Sequence, residues 1–239
     1  MATTRARRSS FFLHMSFAFL AIGVIGFSTT FFLPLARGTF VAPPLIHVHG
    51  ALLFGWLLFL IAQTSLIQSR GVRLHRRLGL FGACLCVAIM VSGVLVGLFA
   101  TRRDLAAGSG SFVLGQFVNI LIEMLLFGAL VGTAIALRRD GESHKRLILL
   151  ATISLLGPAW LRFRHLFPQV ENPFLVFSLI ADSVLLVAIA RDVLAYRRVH
   201  PAYLWAGGAM VTVHMIELAA IESTAWLRIA RWLLGEPAG

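Results

Sequence analysis

The chain alternates between long apolar runs and short polar loops. An apolar helix of about 20 residues, rising about 1.5 Å per residue, crosses the roughly 30 Å hydrocarbon core of a bilayer. Runs of this kind lie at 11–33, 45–67, 78–100, 112–137, 147–163, 174–193 and 202–227. The pattern therefore predicts an all-α integral membrane bundle of seven transmembrane helices, which forms a single domain over residues 1–239.

Two of the seven runs have unusual features. Pro158 removes a helix hydrogen bond, so we expect it to kink or end the fifth helix. The seventh run is the most polar, but it is flanked by Tyr203, Trp205 and Trp226, which are typical of membrane interfaces. The segment RIARWLLGEPAG after it mixes arginine and tryptophan with leucine, and this predicts a short interfacial helix.

Composition agrees with a membrane protein. Hydrophobic residues make up 59% and charged residues 13% of the 239 residues, whereas soluble domains carry about 25% charged residues. The formal net charge is +11, but the basic residues are distributed among the short loops and form no single patch. This distribution argues against nucleic acid as a partner and favours anionic lipid head groups.

The positions of Lys and Arg predict the orientation. The N-terminus and the loops 68–77, 138–146 and 191–200 together hold twice as many of these residues as the opposite side. Because basic loops tend to stay in the cytoplasm, we expect the N-terminus inside and the C-terminus outside. The first apolar run is too long for the core of a signal peptide, so we interpret it as an uncleaved span.

Ionisable side chains within the apolar runs are the candidates for function, because a charged group in hydrocarbon is costly. Counting about 1.5 Å per residue from the outer helix ends places most of them in the outer half of the bilayer or near its midplane. They are Glu123 in the fourth run, Asp182 in the sixth, His214 and Glu217 in the seventh, and His47 and His49 at the outer end of the second.

The residue types and spacings predict a metal site. His214 and Glu217 stand at i and i+3 and so share a helix face, an arrangement that holds metal ions in helical bundles. The predicted ligands are His47, His49, His214 and Glu217. The predicted supporting or proton-handling groups are Glu123, Asp182, Asn119 and Arg162. Nitrogen and oxygen ligands suit zinc, iron, copper or manganese, and histidines on facing helices also suit haem.

Two alternatives use the same residues differently. Arg162 ends the fifth run at a depth where it would pair with Asp182, and such pairs often only hold a bundle together. The protein would then be a non-enzymatic accessory subunit of a larger membrane complex. The other alternative is a transporter or proton pathway, which predicts a polar route to the inner loops. No phosphate-binding loop, nucleophile elbow or HExxH motif occurs, so no catalytic residue is assigned.

Every predicted inner loop places a histidine beside basic residues. These residues are His75, Arg76, Arg77, His144, Lys145, Arg146 and His200. Three such loops side by side predict a site for an anion or a lipid head group. The alternative is that they are ordinary positively charged inner loops with incidental histidines.

Two pairs of glycines with small-x3-small spacing predict close helix contacts. Gly93 and Gly97 lie toward the outer end of the third span, whereas Gly128 and Gly132 lie toward the inner end of the fourth. The two pairs therefore cannot face each other. We expect each pair to meet another helix or a partner protein.

Five short segments together resemble a group of small, uncharacterised, polytopic bacterial inner-membrane proteins. They are IHVHG, AQTSL, LHRRLG, HKRLILLAT and RRVHPAYLWAG, and they lie within residues 43–208. The resemblance implies seven spans and a multi-pass location in the bacterial inner (cytoplasmic) membrane. It also implies that His47, His49, His75, His144 and His200 belong to signature segments. It implies no particular activity.

Overall fold

A computed structural model describes residues 10–235, and every regular element in this range is helical. The helices are α1 Phe11–Phe27, α2 Leu33–Ala36, α3 Pro44–Gln68, α4 Val72–Ala106, α5 Phe112–Ala136, α6 Gly141–Leu155, α7 Gly157–Arg162, α8 Pro173–Tyr196, α9 Gly208–Ala220 and α10 Thr224–Leu234. Six segments of the described chain are long and apolar enough to cross a membrane, or seven if the bent pair at its end is one span. The prediction of an all-α, multi-pass membrane bundle is confirmed.

Two predicted features fall on the chain ends. The basic N-terminal segment, residues 1–9, and the last part of the predicted interfacial tail, residues 236–239, lie outside the described residues. Within residues 10–235 the predicted spans and the observed helices agree apart from their ends. The largest difference is α4, which extends beyond the predicted 78–100 on both sides. The orientation of the bundle in a membrane stays a prediction.

Local chemistry explains where the fifth span begins and breaks. Asp140 caps α6 by accepting hydrogen bonds from the N–H groups of Glu142 and Ser143. The hydroxyl and N–H of Ser143, and then the N–H of Glu142, lower the pKa of the Asp140 carboxyl, which suits the positive end of the helix. Leu156 separates α6 from α7, and Pro158 stands in the first turn of α7, where its missing N–H is not needed. The expected break at this proline is confirmed.

The seventh span ends earlier than the hydrophobic pattern predicts. A π-helical turn, Tyr203–Gly207, leads into α9, and α10 then departs at 92° from the direction of the span. Ser223 accepts a hydrogen bond from the N–H of Trp226 at 3.3 Å and so caps α10. The span therefore stops at Ala220 instead of 227, and the helix expected in the tail begins at Thr224.

The main core lies where α1, α3, α4, α5, α6 and α8 meet. Phe19, Trp56 and Phe127 are among its buried side chains. Trp56 meets Phe127 edge-on, with 5.1 Å between ring centroids, and its indole N–H donates to Oγ1 of Thr152 at 3.2 Å. The one polar group of this tryptophan is thus satisfied inside the core, as burial requires.

Both glycine motifs contribute to the contact between α4 and α5, although the two pairs do not meet each other. Side chains at Gly93 and Gly97 would collide with side chains of α5, and one at Gly128 would collide with a methionine of α4. These three glycines therefore accept large side chains from the facing helix. Gly132 has open space beside it, so contact with a partner protein there stays a prediction.

Candidate carboxylate–histidine centre

One histidine lies between two carboxylates inside the bundle. Nδ1 of His214, on α9, lies 2.6 Å from Oδ1 of Asp182 on α8, which is a short hydrogen bond. Nε2 of the same ring lies 3.0 Å from Oε1 of Glu123 on α5. This second contact lacks the alignment of a hydrogen bond, so it is electrostatic. Three helices that are distant in sequence thus meet at one imidazole.

Glu217 adds a third carboxyl group to this centre. It follows His214 by one turn of α9, is 6% exposed, and interacts with the carboxyl group of Glu123. Two adjacent carboxyl groups repel each other when both are ionised, so a shared proton is the stable arrangement. Oε1 of Glu217 and Oδ2 of Asp182 are buried and have no hydrogen-bond partner among the described residues. The centre therefore contains acceptor atoms that are free to take a proton or a cation.

The positive charge available to the centre is small. Across residues 10–235, no arginine or lysine forms an ion pair with these carboxyl groups. Three ionised carboxylates would outnumber the single charge that the imidazole of His214 can carry. An unbalanced charge inside the bundle is costly, so we expect the centre to retain protons in addition to the one on the histidine.

The members of the centre differ in exposure. Glu123 keeps 24% of its side chain exposed, whereas Asp182 is only 8% exposed. Glu123 is therefore the group through which a proton or cation from outside would first reach the centre.

Apolar packing separates the centre from the predicted inner side. On α8, Leu185 and Ala188 lie between Asp182 and the inner end of the helix. On α9 and the turn before it, Met210 and Ala206 lie between the histidine and the inner end. All four belong to the buried core. The polar route toward the inner loops that a transporter would need is closed in this conformation.

The turn between α9 and α10 covers the centre on the predicted outer side. The indole N–H of Trp226 donates to Oδ1 of Asn119 at 3.0 Å, and this asparagine lies one turn from Glu123 on α5. One turn further, a side chain at Gly115 would clash with the carbonyl oxygen of Ile221. The backbone of the turn therefore rests directly on α5. Asn119, predicted as a supporting neighbour of Glu123, also holds this cover in place.

The two outer histidines form ring and hydrogen-bond contacts with residues outside the centre. His47 packs against the ring of Phe40, with 5.4 Å between centroids. Nδ1 of His49 lies 2.9 Å from Oγ of Ser92. Neither ring forms a hydrogen bond or an ion pair with His214 in the part of the chain that the structure describes. No hydrogen bond or ion pair among the described residues therefore joins the predicted ligands His47 and His49 to His214 and Glu217.

Arg162 does not form the expected pair with Asp182, which binds His214 instead. Nη1 of Arg162 donates to the carbonyl oxygen of Pro158 at 2.8 Å. Its guanidinium lies over the ring of Phe27, 4.1 Å from the centroid. The ion pair on which the structural alternative depended is thus not formed.

The described side chains contain no group of three or more His, Cys, Asp and Glu that could hold a metal ion. The pair of Asp182 and His214 nevertheless shares one feature with metal sites, because a carboxylate on one ring nitrogen orients the other nitrogen toward a ligand position. A metal or haem bound by this protein stays a prediction.

On the predicted inner side, the guanidinium of Arg146 is occupied by carboxylates. Nε and Nη2 each donate to Asp192 at 2.8 Å, and Nη1 donates to Glu142 at 2.6 Å. Arg146 and Asp192 are 1% and 0% exposed, respectively. Lys145 also pairs with Glu142, at 2.6 Å. These two basic residues therefore join helices or neutralise neighbours, and they offer little free charge to an anion.

Two inner histidines face each other. The rings of His75 and His144 are 6.2 Å apart and edge-on, and Nδ1 of His144 lies 2.7 Å from the carbonyl oxygen of Ala134, to which it donates. Arg76 and Arg77 are exposed nearby on α4. An anion or lipid head-group site on this side stays a prediction, and these two arginines are the freest cations for it.

His200 has a structural role in the inner loop before the seventh span. Its Nδ1 accepts a hydrogen bond from the N–H of Ala202 at 3.2 Å, which requires an unprotonated nitrogen. Partial burial, and then the charge of Arg146, lower the pKa of His200 below its ordinary value. The ring is therefore neutral near pH 7 and contributes no positive charge to an anion site.

Two contributing residues were not assigned by sequence reasoning. Ser92 binds His49. The sequence could have indicated this contact, because Ser92 is the one hydroxyl residue in the apolar run 78–100 and lies at the depth of that histidine. Trp226 was interpreted only as an interfacial anchor. A buried indole N–H needs an acceptor, and Asn119 is one of two amide residues in its apolar run, with Gln116, so this pairing had a signal in the sequence.

No protein-family model, curated protein sequence or solved structure matches this chain. The geometry of the centre is thus the basis for assigning a function.

Proposed function

We propose that this protein takes up and releases protons at the centre formed by His214, Asp182, Glu123 and Glu217, as part of a transporter or proton pathway. One observation carries the proposal. An imidazole lies between two carboxylates, a third carboxyl group interacts with one of them, and no basic side chain accompanies them in the described chain. Intramembrane acids and histidines of this kind are typical of proton relays.

Each residue has a distinct part in this proposal. Glu123 is the most exposed member and exchanges protons with the surroundings. Glu217 shares a proton with Glu123, and it stores that proton when its carboxyl group is in the neutral, protonated form. His214 accepts a proton at Nε2, 3.0 Å from Glu123. Asp182 holds the ring in place through Nδ1 and stabilises its protonated form.

In this conformation the same geometry restricts access to the centre from both sides, and Glu123 is its most exposed member, at 24%. The apolar layer at Leu185 and Met210 blocks the predicted inner side, and the turn at Ile221 covers the predicted outer side. A proton pathway across the membrane would require the apolar layer to open in a second conformation. We place the centre in the outer half of a bacterial inner membrane, in line with the predicted orientation.

The accessory-subunit alternative expects intramembrane acids to be neutralised by arginine. That describes Asp192, which binds Arg146, but not Asp182, Glu123 or Glu217. The unneutralised acids therefore favour the proton-binding function.

A metal ion is the second candidate, because Asp182 orients His214 and a buried oxygen of Glu217 has no hydrogen-bond partner within residues 10–235. Glu123, His214 and Glu217 would be the ligands, with Asp182 behind the histidine. Haem is a weaker variant, since both nitrogens of His214 already face carboxylates. A proton needs no rearrangement of these side chains, whereas a metal does, and the proton-binding proposal is stronger for that reason.

Infrared difference spectroscopy on the purified full chain in lipid tests the proposal. At pH 7 we expect the stretching band of a protonated carboxyl group, which shifts in deuterium oxide. The band should disappear in Glu217→Gln and change in His214→Gln. Glu171→Gln is the matched control, because Glu171 is exposed and lies outside the spans, and it should leave the band unchanged.

Proton flux into proteoliposomes, followed with an internal pH-sensitive dye, provides the functional readout. Flux that is lost in Glu217→Gln and retained in Glu171→Gln would support a pathway. A spectrum without any protonated carboxyl at pH 7 would contradict proton storage. Stoichiometric metal, or a haem absorption band, in protein purified after growth with metal and haem would favour the second candidate instead.

A further inference from the structure

Arg162 is a cation in the bundle without an anionic partner. It lies at the end of α7, within a segment that is apolar enough to span a membrane. Among residues 10–235 no carboxylate lies within ion-pair distance of it, and the charged group that acts on it is another cation, Arg164. A charge placed in this way is costly unless something neutralises it.

The guanidinium is held in place, but most of its donors are free. It makes one hydrogen bond to protein, from Nη1 to the carbonyl oxygen of Pro158, and it stacks on Phe27 of α1. Nε and Nη2 donate to no other group in the described residues. A guanidinium that is fixed on one face and keeps a free edge matches the two oxygens of a carboxylate or phosphate.

His49 lies within reach of the charge on Arg162. Oγ of Ser92 donates to the carbonyl oxygen of Ile89 at 3.1 Å, so the same oxygen accepts from Nδ1 of His49. The ring is therefore fixed through Nδ1, and Nε2 forms no hydrogen bond with any residue in the range 10–235. An O–H group of a monoprotonated phosphate, or a hydroxyl of a lipid head group, would find an acceptor there.

The three carboxyl groups of the carboxylate–histidine centre have other partners. Asp182 and Glu123 contact His214, and Glu217 interacts with Glu123. The bundle thus separates an acidic centre at α5, α8 and α9 from a basic one at α3, α4 and α7. The basic one has no counter-charge within residues 10–235, which leaves its guanidinium available to a bound anion.

We propose that Arg162, together with His49, forms a binding site for an oxyanion of the phosphate or carboxylate type in the predicted outer half of the bundle. The oxyanion neutralises the guanidinium through its free edge. The source is either the head group of an anionic lipid or a free anion. This proposal is independent of the proton-binding function, because it uses different residues on different helices.

Thermal unfolding of the purified chain in a maltoside detergent tests the site. The probes are phosphatidylglycerol, with phosphatidylcholine as the lipid control, and inorganic phosphate. At about a hundredfold excess over Kd, a specific ligand should raise Tm by about 5–10 °C. A rise with phosphatidylglycerol alone identifies a lipid head group, and a rise with inorganic phosphate as well identifies a free-anion site.

Arg162→Gln should lose this rise, while Arg102→Gln, the matched control with an exposed arginine at the same end of the bundle, should keep it. Without added anion we expect Arg162→Gln to unfold at the same or a higher temperature than the natural protein, because it removes an uncompensated charge. If Arg162→Gln does not fold, Arg162→Lys is used in its place. The ligand should then raise Tm by less than in the natural protein, since a lysine cannot make the paired contact with two oxygens.

An equal rise in the Arg162 variant and the natural protein, or no rise with either probe in the natural protein, would overturn the proposal. The infrared band of the carboxylate–histidine centre should be unchanged in Arg162→Gln. That band therefore distinguishes failure of this site from failure of the proposed function.

Discussion

The ionisable residues within this bundle differ in how far neighbouring charges neutralise them, and three cases occur. Arg146 is neutralised by carboxylates on all its engaged nitrogens. His214 binds two acids that it cannot fully neutralise. Arg162 has no acid at all within the described part of the chain. The first arrangement is structural, and the other two are those for which we propose a function.

At the residue scale, the Arg146 pair allows a direct test of this distinction. Arg146→Met leaves the buried Asp192 with Arg191 as its remaining ion-pair partner, at 2.9 Å, and breaking a buried pair costs about 3–5 kcal/mol. We expect about 3 kcal/mol, the lower end of that range, because the pair lies at an end of the bundle. The measurement is the free energy of unfolding in mixed micelles, by titration with sodium dodecyl sulfate.

Arg103→Met is the control, since Arg103 and Asp104 are 61% and 35% exposed, and exposed pairs contribute about 0–1 kcal/mol. Replacing both partners, Arg146→Met with Asp192→Leu, should recover most of the loss, because no charge is then left buried. A single variant as stable as the natural protein would show that the pair is not a structural bond between α6 and α8.

At the scale of helices, backbone contact decides where α9 ends. Gly115 lets the carbonyl of Ile221 rest on α5, and Trp226 binds Asn119 from above. The seventh apolar run was assigned through this point to residue 227, because Ala225, Trp226 and Leu227 follow the polar residues 222–224, so the pattern predicts a longer helix. Close approach of two backbones depends on a glycine from a different helix, which periodicity along one helix does not reveal.

Gly115→Ala should therefore displace the turn between α9 and α10. We expect the free energy of unfolding to fall by about 1–3 kcal/mol, the usual cost of overpacking. We also expect the fluorescence of Trp226 to shift, which can be followed in a variant whose other tryptophans are replaced by phenylalanine.

Gly132→Ala is the matched control, because open space lies beside Gly132. It should be neutral or stabilise α5 by up to about 1 kcal/mol, since alanine favours a helix more than glycine does. Equal effects of the two alanines would show that the turn does not rest on Gly115.

At the scale of the whole molecule, the orientation can be tested by labelling single cysteines with a membrane-impermeant maleimide. In a background without Cys84 and Cys86, we expect Ser109→Cys and Arg228→Cys to react in intact cells. Ser69→Cys should react only after lysis. The opposite pattern would reverse the orientation. An inward Arg228 with an outward Ser109 would mean that α9 does not cross the membrane.

Several features of the bundle were predicted from the sequence pattern alone. Apolar length predicted the spans, Pro158 predicted the break after Leu156, and the spacing of His214 and Glu217 predicted that the two share a face. Asp182 and Glu123 were predicted to lie near them, and they do. His47 and His49 were grouped with them by depth alone, but depth does not say which helices are neighbours.

The sequence by itself determined that the chain crosses a membrane repeatedly, because hydrocarbon requires long apolar helices and tolerates few charges. It also determined which side chains carry chemistry, since those few charges stand out against the apolar background. Tertiary structure alone decided which of them meet. The rotation and order of packed helices depend on side-chain fit between distant segments. That fit placed His214 between two acids and left Arg162 with none among the described residues.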